Sequence, residues 1–86
     1  MKLNKEFLLH ESRGEAILVP TGKADFSGVV RGNKTFGAVV ELLKKDTDEE
    51  KIVSAMKERF DAPEGAIEAD VARILRELRE IGALCE

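Results

Sequence analysis

The hydrophobic pattern changes period at Asn33. Before it, short apolar runs separated by turn residues have the spacing of strands; after it, apolar positions recur every three to four residues, the spacing of amphipathic helices. Phe7-Leu8-Leu9-His10-Glu11 reads as a first strand, and Ser12-Arg13-Gly14 as the turn after it, with Gly14 free to take a positive φ. Ala16-Ile17-Leu18-Val19 reads as a second strand, ended by Pro20, which cannot donate to a ladder. Residues 21–27 form a polar loop, and Gly28-Val29-Val30-Arg31-Gly32 a brief third strand with glycine at both ends. A meander is the simplest pairing.

Asn33 is placed to cap the first helix, whose buried stripe is Phe36, Val39, Val40 and Leu43, with Lys44 and Lys45 favouring the negative end of its dipole. Thr47-Asp48-Glu49-Glu50 has the form of a capping box and opens a second helix with a buried side of Ile52, Ala55, Met56 and Phe60. Asp61-Ala62-Pro63-Glu64 repeats that logic before a third helix. This helix is the longest, with a stripe of Ile67, Val71, Ile74, Leu75, Leu78 and Ile81; Gly82 stops it and Leu84 is placed for a Schellman-type contact. Three strands and three helices of this size cannot bury their faces separately. The pattern therefore predicts one α+β domain over residues 1–86, a sheet laid on helices, with the third helix beside the last strand.

Length narrows the function. A chain of 86 residues buries only about 60–65% of its unfolded surface, which leaves little room for a deep active-site cavity. Charge narrows it further. The formal net charge is −3, with five basic and four acidic side chains in residues 1–32 against nine and thirteen in residues 33–86. Helices that read nucleic acid carry the opposite balance. The single cysteine, Cys85, makes no intrachain disulfide or zinc site, and no signal peptide or spanning segment is recognisable, so a cytoplasmic protein is expected.

Catalytic chemistry is missing from the pattern. His10 is the sole histidine, and Ser12, Ser27 and Ser54 lie in no nucleophile motif. The acids Asp46, Asp48, Glu49 and Glu50 lack the glycine and spacing of a calcium loop and read as residues that complement a helix start. The reading is a non-enzymatic binding domain with no cofactor and no metal.

The segment Gly28-Val29-Val30-Arg31-Gly32-Asn33, followed by Val39-Val40-Glu41-Leu42-Leu43, leads into the tail Asp70-Val71-Ala72-Arg73-Ile74-Leu75-Arg76-Glu77-Leu78 and Gly82-Ala83-Leu84. In this order and spacing the chain resembles the PqqD family, small proteins of pyrroloquinoline quinone biosynthesis whose fold recurs as the precursor-peptide recognition element of RiPP pathways. The resemblance implies a winged-helix-like fold. It also implies a partner: the leader segment of a ribosomally made precursor peptide, bound by strand addition and presented to a modifying enzyme, often a radical SAM protein. A freestanding protein of the PQQ pathway or another RiPP pathway is the expectation.

Carried onto this chain, the resemblance puts Val29, Val30 and Arg31 on the accepting strand. Opposite them it puts Ala66, Ile67, Asp70, Val71, Arg73 and Ile74 on the third helix. A strand edge supplies main-chain hydrogen bonds, and alternate side chains enter a groove. On this reading Val30→Pro removes an edge hydrogen bond. Because Val29-Val30 is a short, weakly protected edge, weak pairing of two copies through it is also expected. Two other functions compete. In a winged-helix DNA-binding protein the third helix would be the reader, but Arg73, Arg76 and Arg79 are interleaved with Glu64, Glu68, Asp70, Glu77 and Glu80. In an accessory subunit of another enzyme the same edge would serve a protein partner.

Overall fold

The computed structural model describes residues 1–24 and 27–86. Among these residues, five strands and three helices follow in the order β1 (Lys2–Leu3), β2 (Phe7–Ser12), β3 (Glu15–Pro20), β4 (Val30–Gly32), α1 (Lys34–Leu42), α2 (Glu49–Arg59), α3 (Ala66–Glu80) and β5 (Leu84–Cys85). The three-stranded antiparallel sheet has the meander order β2-β3-β4. The architecture is the α+β one expected, a sheet followed by three helices.

Arg13 and Gly14 form the two-residue turn between β2 and β3, with φ of 51° and 80°. Two successive positive φ values match the twist of a tight hairpin, and Ser12 pairs directly with Glu15 across it. The expected polar loop at residues 21–27 falls partly on Asp25 and Phe26, outside the described residues. Val29 precedes β4 rather than belonging to it.

Register sorts the sheet into two faces. Phe7, Leu9, Ala16, Leu18 and Val30 face the helices; Phe7, Ala16 and Leu18 are buried and the other two pack against the core. The opposite face carries Leu8, Ile17, Val19 and Arg31, with Leu8 61% exposed. The inner face meets α1, whose stripe Phe36, Val39, Val40 and Leu43 is buried as its spacing predicts. α3 supplies Ile67, Val71, Ile74, Leu75 and Leu78 to the same core. No polar or charged side chain among the described residues is buried.

Several local expectations need correction. The cap of α1 is Asn33, as expected; its side chain accepts from Phe36 N at 3.1 Å. That of α2 is Asp48, accepting from Lys51 N at 2.8 Å, so the capping box on Thr47 does not form. Thr47 instead bonds Met1 through its backbone. α3 starts one residue after Gly65, which has φ 83° and no side-chain cap bond, rather than at Asp61. Lys44 and Lys45 lie beyond the end of α1. At the end of α3 the backbone forms a full Schellman pair, Gly82 N to Arg79 O at 3.1 Å and Ala83 N to Leu78 O at 2.8 Å. The apolar closing residue is therefore buried Ala83; Leu84 has moved on into β5.

Residues 1–6 and the last strand carry no readable period, yet they join the chain ends. β1 and β5 pair antiparallel, Leu3 opposite Leu84. Leu3 N donates to Leu43 O and Asn4 N to Ala83 O, each at 2.7 Å. The placement of α3 also differs from expectation. It packs on α1, α2 and β5, and its contact with β4 is at most marginal; the helix that rests on the sheet is α1.

Candidate functional site

An edge strand is defined by where its unpaired backbone groups point, and here the hairpin decides that. Residues flanking a two-residue turn form a hydrogen-bonded pair, and in an antiparallel ladder such pairs alternate with non-bonded ones. Ser12 and Glu15 are therefore bonded, as are His10 with Ile17 and Leu8 with Val19. The alternation is continued by Thr21 N, which donates to Glu6 O at 2.7 Å. Ala16 and Leu18 consequently turn their N–H and C=O groups toward β4, where they pair with Gly32 and Val30. Arg31, opposite Ile17, turns its N–H and C=O away from the sheet. The open edge is thus presented by Arg31, with Val30 bonded inward. This overturns the reading of Val30 as the edge donor.

The edge is held in place from below. A Cβ built on Gly32 would lie 2.4 Å from the Phe36 ring, so only glycine lets β4 sit this close to α1. Val30 packs against the core while Val29, 52% exposed, and Arg31 face solvent. Arg31 makes no hydrogen bond or ion pair with a described residue.

The α3 residues divide by burial. Val71 and Ile74 have no exposed surface and Ile67 retains 8%. They are core residues, able to support a groove but, in the first two cases, not to line it. Ala66 and Asp70 are half-buried near the start of the helix, and Asp70 has no partner among the described residues. Arg73 is exposed and bonded to Glu77 at 3.2 Å. Arg79 is bonded to Glu86 at 3.1 Å, which raises its pKa and holds the Glu86 carboxyl below the usual carboxylate range. Two of the three arginines that a DNA reader would present on α3 are thus engaged by acids.

A concavity of about 500 Å³ lies under the hairpin turn, between Glu11, Arg13, Lys34, Glu41, Arg59 and Phe60, and includes none of the predicted site residues. No cluster of three or more His, Cys, Asp or Glu among the described residues is arranged to hold a metal ion. No helix of the described residues is long and apolar enough to cross a membrane.

These features define a small α+β domain in which β4 forms a short, glycine-bounded edge of the sheet, unpaired on its outer side among the described residues. The chain belongs to the PqqD family: the sequence model of that family, described as coenzyme PQQ synthesis protein D, matches residues 7–84. Among solved structures, the chain is similar to "TbiB1 in Complex with the TbiA(beta) Leader Peptide", with a TM-score of 0.78 and 19% sequence identity, covering 98% of this chain and 94% of that one. At that identity the likeness is one of fold. No curated protein sequence matches the chain.

The signal missed at sequence level is the parity of β4. Val29, Val30 and Arg31 were all legible as edge residues, but which of them offers free backbone groups depends on the register with β3. Which residues of β3 bond outward to β4 is in turn set by the β2–β3 turn, fifteen or more residues away.

Proposed function

We propose that this protein is a non-catalytic peptide-binding module that takes up the leader segment of a ribosomally made precursor peptide as an added strand on β4 and presents it to a modifying enzyme, of the radical SAM type or another. The observation that carries the proposal is the outward-turned N–H and C=O of Arg31 on an edge that pairs with no strand among the described residues. Membership of the PqqD family and a shared fold with a protein solved with a leader peptide support it. On this reading Arg31 receives the incoming backbone, with Val29 and Val30 flanking it on the edge. Ala66, Asp70 and Arg73 offer surface on α3, and Ile67, Val71 and Ile74 hold that helix in the core. Such binding combines sequence-tolerant main-chain bonds with side-chain selection.

The test is an amide NMR titration of the labelled protein with leader peptides encoded beside its gene, with duplex DNA as control. Saturating shifts confined to residues 28–33 and 64–75 are the expected result. The decisive variant is Arg31→Pro, which removes the outward N–H while sparing the inward ladder. It is expected to abolish peptide binding with little change in thermal midpoint, whereas Val30→Pro breaks a bond to Leu18 and lowers stability. Undiminished peptide binding by Arg31→Pro would exclude β4 as the docking edge.

A further inference from the structure

The register that exposes Arg31 also states what sequence the edge selects. We infer that Arg31 is a specificity residue, and that the preferred peptide carries an acidic residue directly opposite it with an apolar residue two positions further on. The inference rests on strand addition at β4 as proposed above, and adds the chemical class of the bound segment.

Every strand pair in this sheet is antiparallel, and an antiparallel addition on the β4 edge lets Arg31 exchange both its backbone bonds with one peptide residue. Side chains of directly opposed residues lie on the same face of the sheet. The peptide residue opposite Arg31 therefore projects beside the Arg31 side chain, on the face away from the helices. That guanidinium is exposed and unpaired among the described residues, and its neighbour across β3 is apolar Ile17. A carboxylate gains there from Arg31, and a lysine or arginine is opposed by like charge.

Moving two residues toward the peptide C-terminus means moving back from Arg31 past the start of β4 to Val29. Val29 is one of two large apolar side chains exposed on the described surface, the other being Leu8. The β3–β4 pairing ends at Leu18 and Val30, with Val29 just before the strand; extended by one residue, it would bring Val29 next to Val19, which pairs with Leu8 on the outer face. An apolar peptide residue at this position shields the exposed Val29 side chain. The intervening residue, opposite Val30, points to the helical side. The resulting pattern is acid–x–apolar, read from N- to C-terminus.

The experiment is selection from a phage-displayed library of random twelve-residue peptides on the immobilised full chain and on Arg31→Glu, with circular dichroism to verify that both are folded. Wild type is expected to enrich Asp/Glu–x–apolar, and Arg31→Glu to enrich Lys/Arg–x–apolar. For a synthetic wild-type-selected peptide, the charge reversal is expected to weaken affinity on the order of fivefold. Enrichment of one charge pattern by both proteins would overturn the role of Arg31 while leaving strand addition in place. No enrichment by either folded protein would remove the peptide-binding reading itself.

Discussion

At the level of single residues, the most constrained position is Gly32. Its backbone needs no positive φ; what it requires is space, because the Phe36 ring occupies the volume a side chain would take. Gly32→Ala must push a buried ring or lift β4 from α1, and overpacking of this kind costs about 1–3 kcal/mol. Denaturant unfolding is expected to show that loss, together with weaker peptide binding because the edge itself moves. The glycine was visible in the sequence as a strand boundary. Its steric role was not, since it depends on a ring four residues on, turned back against the strand. Asp70 and Arg73 show the same division. Both are recognisable as polar flank residues of one helix, but only in the folded chain is Arg73 engaged by Glu77 while Asp70 has no partner among the described residues.

Elements were legible where their period was local. The helical stripes turn toward the core as spacing indicates, with Ala55, Phe60 and Ile81 only half-buried, because a 3.6-residue repeat records burial on one face whatever lies opposite. Their starts were less legible: several acids and hydroxyls stand before each helix, and backbone geometry selects one. At α2 the chosen residue is Asp48, with Thr47 held by Met1. Asp48→Ala is accordingly expected to cost about 1 kcal/mol. Thr47→Ala should stay within about 0.5 kcal/mol, the range of surface changes away from such features. Equal losses for the two in urea unfolding would contradict this assignment of the cap.

The whole molecule is closed by its ends. The β1–β5 pair, the Leu3 and Asn4 backbone bonds and the N-terminal amine on Asp46 and Thr47 tie residues 1–4 to the ends of α1 and α3. Removing residues 1–4 exposes part of that junction and leaves Leu43 O and Ala83 O without these donors. A marked drop in thermal midpoint is expected, with far-UV helix signal retained at low temperature. The same junction contributes to acid sensitivity. The N-terminal amine holds the Asp46 carboxyl below its usual range, and Lys57 and Arg79 do the same for Glu68 and Glu86. A carboxyl with a folded-state pKa below its unfolded value adds stability that is complete above the unfolded pKa and lost as pH falls through the depressed one. The thermal midpoint should therefore hold from neutral pH down to the ordinary carboxylate range and fall below it. Because these pairs are exposed, salt should flatten the fall.

By itself the sequence determined the order of elements, the apolar stripes and the absence of a recognisable catalytic motif, because each is written in neighbours along the chain. It also carried enough of the PqqD pattern to identify the family. Tertiary structure alone decided that α1 rather than α3 supports the sheet, that two unpatterned ends form a second small sheet, and that Arg31 turns its backbone outward. Those outcomes depend on register and on pairings between distant residues. A shift of one residue between β3 and β4 would preserve every local propensity and still exchange the bonded and open sides of the edge.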